Sequence, residues 1–353
     1  MRIGLIGRAD DRGIGIQTWE FHRHMPVHST LCVLTNDPQF PEDPGRFGRD
    51  VVNVDSNLST KRDQRGLDER KVRRWLEDVE LVFAVETVYD WRLIDWAHDA
   101  GARVVVQGNP EFYCHHQYGF QQPDRWVWPT EWMIPELGEH LPTGQLDVLP
   151  VPTVERPVVA ADPDDEVLRV LHVVGRPAAG DRQGTYEFIE SLASIRGRVH
   201  VTLTSQEAGL PGSLRLGRNV TAEVITTSQS DRWDLYGNQH VLVSPRKYGG
   251  LHLPGLEAMA SGLALVMPDC SPNRMWPGRR LKAHKAQRVR TPFGGIQMHS
   301  AHPLDIAKMI DIYARDRVAL IADMDAAKRW ADFNTWEAHA EYSYMPLFED
   351  VLS

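Results

Sequence analysis

The residues whose chemistry is easiest to name lie between Ser244 and Asp269, in the run Ser-Pro-Arg-Lys-Tyr-Gly-Gly-Leu-His-Leu-Pro-Gly-Leu-Glu-Ala-Met-Ala-Ser-Gly-Leu-Ala-Leu-Val-Met-Pro-Asp. Gly249 and Gly250 supply a turn where φ > 0 is open or where the backbone can approach a ligand. Pro254 suits the first helical position, because its missing N–H would be unpaired there anyway. A helix starting at that point directs free amides toward the turn, and such an N-terminus attracts an anion such as a diphosphate. Glu257 then falls in the first helical turn, where the helix dipole favours a carboxylate that can also accept hydrogen bonds from a pair of sugar hydroxyls, and Gly262 ends the helix. Arg176 follows a strand and Arg182 lies in the loop before a helix, so both can reach a crevice at the strand ends. Guanidinium groups bind phosphate in a bidentate fork.

A second set of candidates lies in the first half of the chain. Gly13-Ile-Gly15 follows the apolar run Arg2–Gly7 and resembles half of a dinucleotide fingerprint, without its third glycine. It reads better as a loop over which a phosphate or acceptor can sit. Glu86, Asn109, Glu111 and Glu131 each follow an apolar, strand-like run, and ligands of open parallel sheets bind at the C-terminal ends of the strands. Solvated loop residues or helix caps are the other reading of each. Tyr113, Tyr118, Trp126, Trp128 and Trp132 concentrate aromatic side chains nearby, able to stack on sugars or to fill a core.

These residues need strands that end at a common edge, and the pattern supplies them. Apolar runs at Ser29–Leu34, Asp50–Val54, Leu81–Val85 and Arg103–Gln107 alternate with helical stretches at Glu69–Glu77 and Trp91–Gly101, the mark of a parallel α/β sheet. Three prolines within Leu149–Pro157, followed by an acidic run, read as a linker. A second alternation follows: strands at Leu168–Val174, His200–Thr204, Val220–Val224 and Gln239–Ser244, with helices at Thr185–Ser194, Asp231–Tyr236 and Pro303–Tyr313. At 353 residues two domains are expected.

The formal charge of −9 argues against a general nucleic-acid coat and for a small-molecule or glycan ligand. Cys32, Cys114 and Cys270 are widely separated and form no Cys-x-x-Cys pair, which suits a reducing, cytoplasmic setting. The opening apolar run is too short for a secretion signal, and no run reaches a membrane span. His22, His24, His28 and His115-His116 lack a recognisable metal spacing. The basic run Arg279–Arg290 reads as a solvated loop beside a strand, or as a dock for an anionic acceptor, nucleic acid included.

From Val173 to Ala260 the chain resembles the retaining GT-B glycosyltransferases that carry a paired-glutamate motif. Their pattern Glu-Gly-Phe-Gly-Leu-Pro-x-x-Glu-Ala is met by Gly249-Gly250-Leu251-His252-Leu253-Pro254-Gly255-Leu256-Glu257-Ala258, with Gly249 in place of the first glutamate. The resemblance implies two Rossmann-like domains facing a central cleft, residues 1–153 with 335–353 on the acceptor side and 154–334 binding the donor. It implies transfer of a sugar from a nucleotide diphosphate sugar, UDP- or GDP-linked, to an acceptor hydroxyl of a glycan, protein, lipid or modified nucleic acid. Retention, and independence of metal or other cofactor, are implied with it. Glu257 would hold the ribose, Gly175-Arg176 and Arg182 the diphosphate, and Val224 the nucleobase. The backbone of Gly250, Leu251 and Leu253 would meet the sugar or diphosphate, with Lys247 or Tyr248 standing in for the missing glutamate. Glu86, Asn109 and Glu111 are the catalytic candidates. A sugar-nucleotide epimerase of the same architecture and a catalytically silent nucleotide- or sugar-binding protein are the competing expectations.

Overall fold

The computed structural model describes residues 1–38, 40–56, 66–112, 122–135, 146–175, 180–205, 210, 214–226, 231–291 and 294–353. Arg176, Tyr113, Tyr118, His115 and His116 lie outside them. Two compact units emerge, one of Met1–Val151, Thr291–Gly294 and Glu337–Ser353, the other of Pro152–Arg290 and Gly295–Trp336.

In the first unit seven strands form one sheet: β1 (Ile3–Gly7), β2 (Val27–Leu34), β3 (Val51–Asp55), β4 (Leu81–Glu86), β5 (Arg103–Gly108), β6 (Arg125–Trp128) and β7 (Leu146–Val148). Their order is β3-β2-β1-β4-β5-β6-β7, and every pairing is parallel. A parallel sheet is covered on both faces, which is why Ile3–Gly7 and Leu81–Val85 are buried without alternation. The helices α1 (Gly13–His24), α2 (Glu69–Leu76) and α3 (Arg92–Asp99) link the strands. Asp68 caps α2 through Lys71 N–H, and Val72, Trp75 and Leu76 form its buried stripe at helical spacing. Trp126 and Trp128 stack at 5.6 Å between ring centroids and are fully covered, so they belong to the core and form no sugar platform.

The second unit repeats the plan. Its strands β8 (Leu168–Gly175), β9 (Val199–Ser205), β10 (Val220–Ile225), β11 (Val241–Val243), β12 (Ala264–Pro268) and β13 (Arg279–Leu281) are all parallel, in the order β10-β9-β8-β11-β12-β13. Helices α4 (Thr185–Ser191), α5 (Leu253–Ala260), α6 (Pro303–Arg315) and α7 (Arg317–Phe333) pack around it. In both units the chain reverses its winding beside the first strand, between β1 and β4 and between β8 and β11. Such switch points are where open α/β sheets bind ligands.

Several elements differ from the pattern reading. The segment expected to be helical at Asp231–Tyr236 is a short 3₁₀ turn, Arg232–Leu235, capped by Asp231 and stopped by Gly237 and the left-handed Asn238. The helix expected through Ser194 tightens to 3₁₀ from Leu192. The basic run is no loop: β13 and β14 (Ala283–Thr291) occupy it, and β14 pairs with β15 (Gly294–Ala301).

After α7, a short helix α8 (Trp336–His339), a π-helical turn and α9 (Met345–Leu352) carry the chain onto the first unit's sheet. Phe348 lies 5.5 Å from Phe83 and 6.3 Å from Phe21, and Tyr344 is 5.8 Å from Phe21. No helix among the described residues is long and apolar enough to cross a membrane. Because Phe348 is fully buried in this cluster, Phe348→Ala is expected to cost about 3–5 kcal/mol, measured as a lowered urea midpoint of the first unit's transition.

Candidate functional site

The C-terminal ends of β8 and β11 carry the loops 180–184 and 244–252, and these are joined directly. Lys247 N–H donates to Arg182 C=O at 2.9 Å. The Lys247 ammonium reaches Asp181 and Glu187, each at 2.9 Å. Burial works against that ammonium, and its hydrogen bonds to the two carboxylates more than offset the effect, so the Lys247 pKa lies above the ordinary lysine value. Asp181 also accepts from Thr185 N–H at 2.7 Å, fixing the start of α4. Gly184, at φ 70°, has no room for a side chain: a Cβ there would lie 2.3 Å from Pro245 O. Lys247 is therefore a strut between the loops, engaged by protein carboxylates.

Gly249 occupies the point where two arginines converge. A Cβ built on it would lie 2.1 Å from Arg246 Nη2 and 2.4 Å from Arg182 Nη2, so the two guanidinium tips are within about 4.5 Å of each other. Both side chains turn around Tyr248, whose carbonyl accepts from Arg246 Nε at 3.1 Å and from Arg182 Nε at 3.3 Å. Arg246 is 1% exposed. Like charges so close, in a site of reduced dielectric, raise the local potential sharply. His252 registers it: desolvation first, then Arg246 and Arg182, hold the imidazole well below its usual pKa, and Ser244 Oγ meets its Nε2 at 3.1 Å.

The helix that follows begins one residue earlier than expected, at Leu253, which places Pro254 second. Glu257 is consequently the fifth residue and outside the first turn, so its position owes nothing to the helix dipole. Its carboxylate is held instead by Tyr236 O–H at 2.6 Å and Arg232 Nε at 3.0 Å, and the side chain remains 13% exposed. Gly262, at φ 86°, ends the helix as expected.

Val224 lies on another strand. It stands 42% exposed on the edge strand β10, separated from β8 by β9. Gly250 is buried, while Leu251 and Leu253 are half-buried, on the same turn as Gly249. Neither Arg246 nor the Tyr236–Arg232 clamp is marked by the sequence, since a lone arginine inside a strand-end loop has no periodic signature.

The first unit gathers its candidates at its own switch point. Asn109 Nδ2 donates to Glu86 Oε1 at 3.1 Å, and Glu111 is buried on the turn beyond β5. Glu86 has φ 68° and Tyr89 φ 61°, left-handed conformations that cost roughly 1–3 kcal/mol each for side-chain-bearing residues. Desolvation first, with Glu86 and Asp10, raises the pKa of the buried Tyr89 hydroxyl against the lowering effect of Arg8, which places these charges around it. Asp10 is wholly buried against Arg8 at 2.6 Å and Arg12 at 3.0 Å. Arg8 and Asp10 were legible in principle, since Arg8 directly follows β1 as Arg176 follows the apolar run of β8. Gly15 packs on Asp10, where a Cβ would lie 1.9 Å from the carbonyl, so its role is the close approach of α1 to that loop; Gly13 opens the helix and is exposed. Among the described residues no group of three His, Cys, Asp or Glu side chains is placed to hold a metal ion.

No family model and no curated protein matches the sequence. Solved structures match its fold. HepE of Anabaena, in complex with UDP and glucose, superposes with a TM-score of 0.69 at 11% identity over 99% of this chain and 100% of its own. The lipopolysaccharide outer core galactosyltransferase WaaB, in its apo form, gives 0.62 at 16% identity over the same shares. Sucrose-phosphate synthase from Thermosynechococcus elongatus gives 0.63 at 13% identity, again over 99% and 100%.

Two outcomes follow from this geometry. Gly249→Ala is expected to destabilise the protein by about 1–3 kcal/mol, because φ 127° is unfavourable and the guanidinium tips must move. In urea titrations Arg246→Ala/Gly249→Ala should lose less than the two single losses combined. The second concerns His172, buried between Val243 O at 2.9 Å and Thr185 Oγ1 at 3.0 Å. Desolvation pushes its pKa down from 6.5 to about 4 against the raising effects of Val243 and Asp181. The unfolded chain then takes a proton that the folded state refuses, so this contribution is intact above about pH 6.5 and is lost as pH falls toward about 4. The loss is on the order of 3 kcal/mol. Thermal melts across that window should fall less steeply for His172→Asn than for the wild type.

The chain thus has the GT-B fold, with two Rossmann-like α/β domains built on parallel sheets of seven and six strands.

Proposed function

We propose that this protein is a glycosyltransferase that moves a sugar from a nucleotide diphosphate sugar, UDP-linked in the first instance, to an acceptor hydroxyl with retention. The observation that carries the reading is the convergence of Arg182 and Arg246 on Gly249, at the β8/β11 switch point and on the turn that leads into the helix of Glu257. Fixed cations at that place suit a diphosphate, whose negative charge grows as the glycosidic bond to the sugar breaks. Because they are already positioned, they stabilise the departing group without reorganisation. Arg176 would add a third guanidinium by resemblance.

Glu257, held by Tyr236 and Arg232 yet still reached by solvent, is the proposed ribose acceptor group. The first unit's Glu86, Asn109 and Glu111 are proposed to meet the acceptor hydroxyl, with Glu86 and Asn109 already hydrogen-bonded. The scheme uses side-chain and helix charges and calls on no metal. HepE, of the same fold and solved with UDP and glucose, supports uridine as the first base to test.

A thermal-shift comparison of UDP, GDP, ADP and TDP checks the donor. A Kd one hundred times below the ligand concentration would add about 2.7 kcal/mol to stability, and UDP is expected to give the largest shift. Glu257→Ala and Arg182→Ala should each weaken UDP binding by about 10-fold or more, in line with charge-assisted hydrogen bonds worth roughly 1.5–3 kcal/mol. Nucleotide release only with an acceptor supports transfer; interconversion of the intact donor indicates an epimerase, and binding without turnover a silent binding protein.

A further inference from the structure

From Cys270 to Leu304 the sequence holds seven lysines and arginines and no carboxylate, within a chain whose net charge is −9. Arg274 and Arg279 are taken up by Asp269 and Asp323 from outside the stretch, and Arg280 donates to Trp276 O. Lys282, Lys285, Arg288 and Arg290 remain exposed, with no carboxylate at ion-pair distance among the described residues, and Arg288 also donates to Gly295 O across the ribbon. Three of them stand on β14. That strand and β15 form a two-stranded sheet apart from the unit's main sheet. Only two residues separate the strands, a connection that antiparallel partners alone permit. Gln297 Nε2 of β15 donates to Ala286 O of β14 at 2.8 Å.

The ribbon is tied to the donor loop. His299 N–H of β15 donates to Lys247 O at 3.0 Å, next to Arg246 and two residues from Gly249. The His299 pKa is lowered by desolvation first, then by Lys285 and Arg274, so the ribbon's positive field extends to that junction.

We infer that the β14–β15 ribbon docks a duplex nucleic acid and brings it to the donor loop. Under the proposed function, on which this rests, that duplex is the acceptor or carries it. Charge complementarity calls for a polyanion, and arginine forks match phosphate. A two-stranded ribbon is one of the shapes the major groove admits. A lipid surface fits less well, because membrane-lying elements need apolar anchors, and none of the large exposed apolar side chains among the described residues stands on β14 or β15.

The test uses the full chain and a fluorescently labelled DNA duplex, with affinity read by anisotropy over a salt series. The charge-reversal variant K285E/R288E/R290E is the comparison. Wild type is expected to bind at low salt, and the variant at least about 10-fold more weakly, with a log–log salt slope reduced by about 2–3, near 0.9 for each phosphate contact removed. A UDP thermal shift on both proteins reports on fold and donor site. Hairpin-dependent DNA binding without any UDP shift supports the docking surface while removing the donor reading. Absence of DNA binding by the wild type, equal binding by the variant, or tighter hairpin-dependent binding to phosphatidylglycerol vesicles than to DNA overturns the inference.

Discussion

The Lys247 ammonium between Asp181 and Glu187 is the contact on which the second unit's site depends. It bridges the loop after β8 and the loop after β11, strands that neighbour each other across the reversal of winding. With Lys247 only 11% exposed and Asp181 3%, the pair is held out of water, and stranding one buried partner of such a pair costs about 3–5 kcal/mol. The strut works together with the backbone bond from Lys247 to Arg182 and with the bare Gly184 against Pro245. These contacts fix the loops from which Arg182 and Arg246 reach Tyr248 O and Gly249.

The glycine at position 249 then takes on a meaning beyond the absence of a glutamate. Two guanidinium groups fill the volume that a side chain would occupy, so a position that is acidic in the resembling family is bordered by positive charge in this chain. Folding has brought these like charges together against their repulsion, at the place where a parallel sheet offers its ligand site. Burial first, and then these two charges, hold the His252 imidazole well below its usual pKa. The same sign of charge continues outward through the β14–β15 ribbon, joined to the loop at Lys247 O.

The scaffold was largely legible. Strands buried on both faces are apolar throughout, so the runs at Ile3–Gly7, Leu81–Val85 and Ala264–Pro268 mark themselves in one dimension. Helix punctuation was legible to within a residue or two, as Gly262 illustrates. That shift still mattered, because one residue moved Glu257 out of the first turn and replaced a dipole argument with a Tyr236–Arg232 clamp. The basic stretch showed what composition alone misses: charged, exposed residues do not alternate with a core, so β14 leaves no period-2 signal.

The sequence by itself determined the class of fold, the two-part layout and the glycine turn before the helix of Glu257, since each rests on local propensity or on burial repeated at a fixed period. Only the tertiary structure decided which charges meet. Arg182 and Arg246 are 64 residues apart, Tyr236 and Glu257 are 21, and Lys247 finds Asp181 across 66. Such pairings depend on strand order and on where each loop leaves its strand, quantities that residue types and spacings do not encode one stretch at a time.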